Sequence, residues 1–470
     1  MNDLLSRLRA IVGEAYVQDA AGTHWAQDWT GHYPYRSLAV VRPANTAEVA
    51  AVVRLANETS TPVVPVSGNT GLCGGAQAQG ALLLSVDRLN QITDIRPDAR
   101  IAVVGAGAIL SNVHAAAAEH GLNFPVTLGA RGTAMIGGLL GTNAGGSNVL
   151  RYGNTRDLVL GIEVVLPSGE VMDLMSELHK DNSGYNLKHL LIGAEGTLGV
   201  ITAAVLKLVP APRAHATAMV AVAGLDQALV LLNRLQEASD GAVHAFEYMP
   251  QIYLDEFRRQ NPETRPAFDQ SHAHNIMVEL GAVAPRDAVP DGDGTVPLAA
   301  LLEQTLAVMF RDGSVLDAVV AQSDAQRTEM WDRREAAGEV TLANDVIINN
   351  DVALPLDKVS VFLDRAGARL HALDPEGRAM VVAHLGDGNV HYMVWPSRDD
   401  AVLKSAVMEA VEDEVLALGG SFSAEHGIGV SKLPSMARRK DPVALAAMRA
   451  IKDALDPKGI MNPGKVLPAE

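Results

Sequence analysis

Two histidines bracket a turn in the last quarter of the chain. His384 ends the apolar run MVVAHL and His391 lies in VHYMVW, with Gly386-Asp387-Gly388-Asn389 in the stretch that joins them. Apolar runs on both sides of such a turn read as a β-hairpin. With Gly386 to Asn389 as the loop, Leu385 faces Val390 and His384 faces His391. Opposed residues in an antiparallel pair carry Cβ atoms about 5 Å apart. Two imidazoles so placed can reach one metal ion, or can simply hydrogen-bond to the turn. FSAEHGIGVSK, Phe422 to Lys432, offers a third ligand in the adjacent Glu425 and His426. Neighbours on an extended backbone point opposite ways, so one can meet a metal while the other faces a different part of the site. Two histidines and a carboxylate leave positions open for substrate oxygens, as at a catalytic zinc or a similar divalent ion. A polar turn is the plainer alternative for Glu425-His426.

Glycine marks a second centre. The stretch GARGTAMIGGLLGTNAGGSNVLRYG, Gly129 to Gly153, holds 8 glycines in 25 residues, in a chain with 42 in 470. Glycine weakens helices and strands alike, so something is expected to approach this backbone closely. Gly137, Gly138, Gly145 and Gly146, with Thr142, Asn143 and Ser147 among them, leave N–H groups bare for phosphate oxygens and flat heteroaromatic rings. The stretch reads as half of a nucleotide-cofactor cradle, or else as a glycine-rich surface loop. Two further small-residue turns accompany it. SGNTGLCGG, Ser67 to Gly75, follows the β run PVVPV, and Glu195-Gly196-Thr197-Leu198-Gly199 precedes an alternating strand. The Ser67 turn is neither a Walker loop, since no lysine follows, nor a G-x-G-x-x-G fingerprint opening a helix.

The elements that must position these residues divide the chain. A length of 470 residues favours two or three domains. Asn45 with Glu48 begins a helix whose apolar positions recur at Val49, Val52, Val53 and Ala56. ALLLSV, IAVVGAG and the hairpin GIEVVLPSGEVMDL give further strands up to Pro210-Ala211-Pro212, where glycine thins out. Helices at Leu225–Ala238 and Leu298–Arg311 then alternate with strands at Val243–Tyr248 and in NIMVELGAV. The expected fold is α+β. A net charge of −17 excludes a general affinity for nucleic acid or anionic lipid. A single cysteine, Cys73, excludes a disulfide framework and suits a reducing, cytoplasmic setting. There is no run long enough for a membrane span and no signal-peptide pattern at the start.

The segments SGNTGLCGG, IGGLLGTNAGGSNVLRYGNTRD, GAEGTLGVIT, HLGDGNVH, EHGIGVSK and NPGKV together resemble the FAD-dependent D-2-hydroxy acid dehydrogenases of the vanillyl-alcohol-oxidase type, from about Ser37 to Val466. Ahead of it, MNDLLSRLRAIVGEAY reads as a short amphipathic helix in an N-terminal helical segment over 1–36, and the resemblance implies a two-lobed PCMH-type FAD-binding domain over 37–212. It also implies a cap domain over 213–419 with a mainly antiparallel sheet, and a C-terminal segment, 420–470, returning to the flavin. Ser67, Gly68, Asn69, Thr70 and Gly71 would hold the pyrophosphate, flanked by Pro65, Leu72 and Gly75. Leu128, Gly129, Thr133, Ile136, Gly137, Gly138, Thr142, Asn143, Gly145 and Gly146 would line the ring and ribityl side. Glu195, Gly196, Gly199 and Ile201 would lie near the adenine, and Asn462 would approach from the C-terminus. The metal ligands match His384, His391 and Glu425, and the proton acceptor matches His426. No histidine lies in the Ser67 loop, so FAD is expected to be held without a covalent bond.

The same resemblance matches Arg334, in MWDRREAAGE, to the arginine that pairs with the substrate carboxylate. Where the 2-hydroxyglutarate enzymes carry a lysine and an asparagine for the distal carboxylate, this chain has Asn349 and Met393. A buried second carboxylate without partners costs several kcal/mol, so a D-lactate-like monocarboxylate is expected over D-2-hydroxyglutarate. A metal-free FAD alcohol or sugar oxidase is the remaining alternative. Without an NAD fingerprint, electrons are expected to pass to a quinone, a cytochrome or an electron-transfer flavoprotein. A homodimer is compatible with this scheme.

Overall fold

The computed structural model describes residues 2–19, 23–292 and 294–469. The chain forms two compact units. One comprises Met1–Gly145, Gly153–Pro210 and Glu425–Glu470, the other Gly146–Tyr152 and Ala211–Ala424. The division near residue 211 follows the proline-rich joint. The residues before Ser37 do not stand apart: the helix Asn2–Val12 buries Leu8 and Val12 beside the helix Thr46–Glu58, and Val17–Gln18 pairs with Ala39–Val41. The C-terminal segment changes unit at Glu425 rather than at residue 420, because Ser421 is still bonded both ways to the backbone of Ala353.

In the first unit, parallel strands Ala39–Val41, Leu82–Ser85 and Val63–Val66 form a small sheet, and a five-stranded antiparallel sheet stands beside it in the chain order. The helix Thr46–Glu58 starts where its capping residues require. Asn45 accepts from the Glu48 N–H at 2.9 Å, and Glu48 accepts from the Ala44 N–H at 2.8 Å. The C-terminus adds to the small sheet: Val63 N–H donates to Ile460 and Asn462 N–H donates to Val63, both at 2.8 Å.

In the second unit seven strands form one antiparallel sheet: β1 (Ala214–Val222), β2 (Val243–Pro250), β3 (His274–Ala282), β4 (Val315–Val320), β5 (Ile348–Ala353), β6 (Arg378–His384) and β7 (Asn389–Trp395). Their spatial order is β4-β1-β3-β2-β6-β7-β5. Alternate side chains point to opposite faces. Val220, Phe246, Tyr248, Val278 and Leu280 face one way and pack with the helices Leu225–Ala238, Pro297–Arg311, Val359–Leu373 and Ala401–Ala417. Each such buried side chain contributes roughly 1.5–3 kcal/mol. The other face holds Met219, Met249, Met277, Met380, Met393 and Trp395. On the same face, Glu247, Glu279 and His391 lie two residues from a methionine of their own strand, and His384 lies four from Met380 with Val382 between. Charged groups on a methionine face are costly unless paired, and their pairing defines the site.

Candidate active site

The hairpin closes one residue earlier than the turn sequence suggests. His384 pairs with Asn389, and His391 pairs with Val382. The loop is therefore Leu385 to Gly388, whose tight turn returns the Asp387 and Gly388 N–H groups to the His384 carbonyl. Asn389 is drawn into β7 by its own side chain, which donates to Asp351 Oδ1 at 2.8 Å and to the Val352 carbonyl at 3.1 Å. Gly388 takes φ +83°, and a Cβ there would overlap the Leu354 carbonyl. A shift of two residues preserves the face. His384 and His391 become diagonal neighbours rather than directly opposed ones, with ring centroids 5.4 Å apart.

Each imidazole is backed by a carboxylate that the sequence reading did not single out. Glu247 on β2 faces His384 across the strand pair, and His384 Nδ1 lies 2.9 Å from Glu247 Oε1. Asp351 on β5 faces His391, with His391 Nδ1 3.5 Å from Asp351 Oδ1. Both acids sit inside apolar strand runs, HAFEYMP and INNDVALP, and that misplaced charge was the available signal.

Arg334 is brought to the same place by the helix Asp324–Glu335, which Ser323 caps by accepting from Gln326 N–H. Its Nε donates to Glu247 at 2.7 Å, and its Nη2 lies 3.2 and 3.4 Å from the two ring nitrogens of His384. Two turns earlier on that helix, Arg327 forks onto Glu279 at 2.6 and 2.7 Å, and Trp331 and Thr217 donate to the same carboxylate. Burial alone would raise the pKa of Glu247, but His384 and Arg334 outweigh it and hold the carboxyl down to about 2. Asn349 and Met393 are cross-strand partners. Asn349 is exposed, whereas Met393 is packed into the methionine cluster.

The glycine turns all lie in the first unit except the end of the long stretch. Gly146–Tyr152 belongs to the second unit, where Arg151 donates to the Gly281 carbonyl at 2.7 Å and lies 2.5 Å from His244 Nε2. The stretch also contains a helix, Ile136–Thr142, despite its three glycines. Part of what approaches this backbone is the chain itself. A Cβ at Gly137 or Gly138 would press on Ser67, and one at Gly68 would overlap the Thr133 carbonyl. At Gly71, Gly129, Gly132 and Gly141 a Cβ would meet no protein atom within 4 Å, and none of the four has positive φ. Neither packing nor backbone conformation asks for glycine there; room for a ring and a pyrophosphate does.

Asn69 and Asn143 sit at φ +53° at the two turns, and Asn143 ends the glycine-rich helix. Asn462 donates to the carbonyls of Gly75 and Glu195, while its Oδ1 is buried with no partner. A buried acceptor in want of a donor is what a bound polyhydroxyl chain or ring N–H would satisfy. Pro65 packs on Gly196, and Ile201 pairs with Val164. Glu195 has a task that the sequence did not indicate. Its carboxylate accepts from Ile428 N–H at 2.7 Å and Gly429 N–H at 2.9 Å, and Val430 N–H donates to the Cys73 carbonyl. The turn that follows Glu425 and His426 is thus clamped to two glycine turns at once.

A glycine-lined cradle and a sheet face presenting imidazoles beside a buried arginine define a flavin-dependent oxidoreductase of the FAD-linked oxidase class. Residues 37–175 match the FAD binding domain family and residues 211–466 match the family described as FAD linked oxidases, C-terminal domain. The chain belongs to this family, among the FAD-dependent D-2-hydroxy acid dehydrogenases. It is 36% identical to a D-2-hydroxyglutarate dehydrogenase of Xanthomonas citri pv. viticola, over 94% of this chain and 92% of that one. It is 32% identical to a D-lactate dehydrogenase of Anaerostipes hadrus, over 97% and 94%. Among solved structures, p-cresol methylhydroxylase with substrate bound superposes with a TM-score of 0.74 at 17% identity, covering 99% of this chain and 96% of that one. The 4-ethylphenol oxidase of Gulosibacter chungangensis gives 0.71 at 18%, covering 99% and 97%. These two likenesses are of fold.

Proposed function

We propose that this protein oxidises a D-2-hydroxy acid to the 2-oxo acid, with His384, His391 and Glu425 as ligands of a divalent ion, zinc by donor preference. The observation that carries the reading is Arg334, a buried guanidinium held beside His384 on the face it shares with His391. A planar fork is suited to a carboxylate, and imidazoles next to it are suited to an ion that also meets the 2-hydroxyl. FAD, held by the glycine turns, would supply the acceptor for the Cα hydride, and an ion held by His384, His391 and Glu425 would supply a Lewis acid for the hydroxyl. His426, as a neutral imidazole, takes the hydroxyl proton. The bonds from Ile428 and Gly429 N–H to Glu195 fix the turn that directly follows it.

Met393 supports a monocarboxylate substrate of the D-lactate type, since its thioether is no donor for a second carboxylate. The names of the relatives favour a second reading, D-2-hydroxyglutarate. Electrons would then pass to a quinone, a cytochrome or an electron-transfer flavoprotein. Anaerobic addition of D-lactate, D-2-hydroxybutyrate or D-2-hydroxyglutarate to the flavin-loaded protein tests the scheme. Bleaching of the flavin band is expected with all three, at least tenfold faster with the monocarboxylates. A strong preference for the dicarboxylate would reject the monocarboxylate reading, and no bleaching by any of them would reject the reaction.

A further inference from the structure

We infer that the segment from His24 to Tyr33, which precedes the residues matched by the FAD binding domain family, is part of the cofactor cradle: it positions the Ser67 turn for a pyrophosphate, and Asn69 is the positioning residue through which it acts. This inference rests on the reading of Ser67 to Gly71 as the pyrophosphate turn. Asn69 Nδ2 donates to the His24 carbonyl at 2.7 Å and to the Gln27 carbonyl at 2.8 Å. An amide carries two N–H donors and a pyrophosphate only accepts, so the Asn69 side chain has no donor left for it. The main chain does. Among the described residues, none supplies an acceptor to the N–H groups of Gly68, Asn69, Thr70, Gly71 and Leu72. Successive bare N–H groups form an anion-binding concavity where the backbone passes through the left-handed region, as Asn69 does at φ +53°.

The segment is itself fixed. Trp25 and Tyr35 are buried with Val40, Val64, Val66 and Leu83, on one face of the small parallel sheet, and Arg42 lies 5.2 Å from the centre of the Trp25 ring. Between them Asp28 closes the loop, accepting from the Tyr33 N–H at 3.3 Å and the Thr30 hydroxyl at 2.8 Å. Tyr33 then meets the far end of the turn. A Cβ at Gly74, which sits at φ +68°, would come within 2.8 Å of its ring. One segment thus seats the turn at both Asn69 and Gly74.

Quenching of flavin fluorescence on addition to the flavin-free full-length protein gives affinities for FAD and for riboflavin, which has the ring and ribityl chain but no pyrophosphate. Asn69→Gly keeps the left-handed backbone and removes both bonds. FAD affinity is expected to fall about tenfold with their loss, and riboflavin affinity is expected to stay as in the parent. Parent-like FAD affinity in Asn69→Gly, or an equal fall for both ligands, would overturn the inference. Gly71→Asp tests the reading beneath it, by adding a carboxylate where a Cβ meets no protein atom within 4 Å. The like charge is expected to weaken FAD about a hundredfold and to leave riboflavin bound. Parent-like FAD affinity there would remove the pyrophosphate from this turn and overturn both, whereas a loss there beside a parent-like Asn69→Gly would overturn the inference alone. Hydrogen exchange on the unaltered protein covers the case of a variant that does not fold. By reciprocal coupling, FAD is expected to slow exchange over 24–33 about fivefold, together with 67–75. Unchanged exchange over 24–33 would overturn the inference.

Discussion

Asn462 donates from Nδ2 to the main-chain carbonyl of Glu195 at 2.7 Å, across 267 residues of sequence. One side chain thereby joins the end of the chain to the Glu195-Gly196 turn, and a second bond at 3.0 Å joins it to Gly75. Its φ of +40° is a conformation that asparagine tolerates better than other residues with a Cβ. Asn462→Ala is expected to lose both bonds and add backbone strain, for about 2–3 kcal/mol in all. A lower flavin-to-protein absorbance ratio after gel filtration checks this. Retention of flavin equal to the parent would show that Asn462 does not contribute to the cradle.

Glu195 offers a test of the clamp. Glu195→Gln keeps an acceptor for one of the two N–H groups and turns a donor toward the other. The expected result is a fall of about tenfold in kcat with KM for D-lactate little changed, because the displaced segment carries His426. Unchanged kcat would mean that the 427–429 turn holds itself.

The hairpin loop offers a test of the register. Gly388→Ala must accept φ +83° and push against the Leu354 carbonyl. A loss of about 2–4 kcal/mol in denaturant unfolding is expected, together with loss of zinc binding, since the same loop sets His384 against His391. A variant as stable as the parent would count against the register described.

Acid should act first through His244. Burial, followed by the charge of Arg151, holds its pKa down to about 3, and as a neutral ring it accepts from Arg151 at Nε2, with the Tyr152 hydroxyl 3.1 Å from the same nitrogen. The folded pKa lies below the unfolded value of 6.5, so the unfolded chain takes up the proton first. This contribution is whole above about pH 6.5 and is lost as pH falls toward 3, at no more than about 1.4 kcal/mol per pH unit. Glu247 adds a second loss between 4.5 and about 2, for the same reason of sign. Urea unfolding at pH 7.5, 6 and 5 should show the decline, and His244→Gln should flatten it. An equal slope in that variant would remove His244 from the account.

Chelation separates the two cofactors. Dialysis against a strong chelator is expected to abolish turnover of D-lactate while the flavin absorbance stays, and zinc or manganese should restore it. Full activity after exhaustive chelation would favour the metal-free oxidase chemistry.

Much of the scaffold was legible. The capping pair Asn45 and Glu48, the helix Leu225–Ala238 and the strands of the β2/β3 region follow from local periodicity, which depends on neighbours a few residues away. The pairing of His384 and His391 was legible as a shared face but not as a register. That register was decided by Asn389, whose bond to Asp351 is invisible in the turn sequence. The glycine stretch was legible as a place of close approach, but not as a helix pressed onto Ser67, nor as a stretch of which Gly146–Tyr152 joins the other unit.

The sequence by itself determined which chemistry was available: glycine turns for a nucleotide, imidazoles and a carboxylate for an ion, an arginine for an acid. Residue type sets those capacities wherever the chain runs. Only the tertiary structure decided the second line of groups, Glu247 behind His384, Asp351 behind His391 and Glu195 beneath the 427–429 turn. Each is joined to its partner across a sheet or between distant turns. Long-range pairing of buried charge leaves no periodic trace, because the cost of burying each group is met by a residue whose place in the chain no local rule predicts.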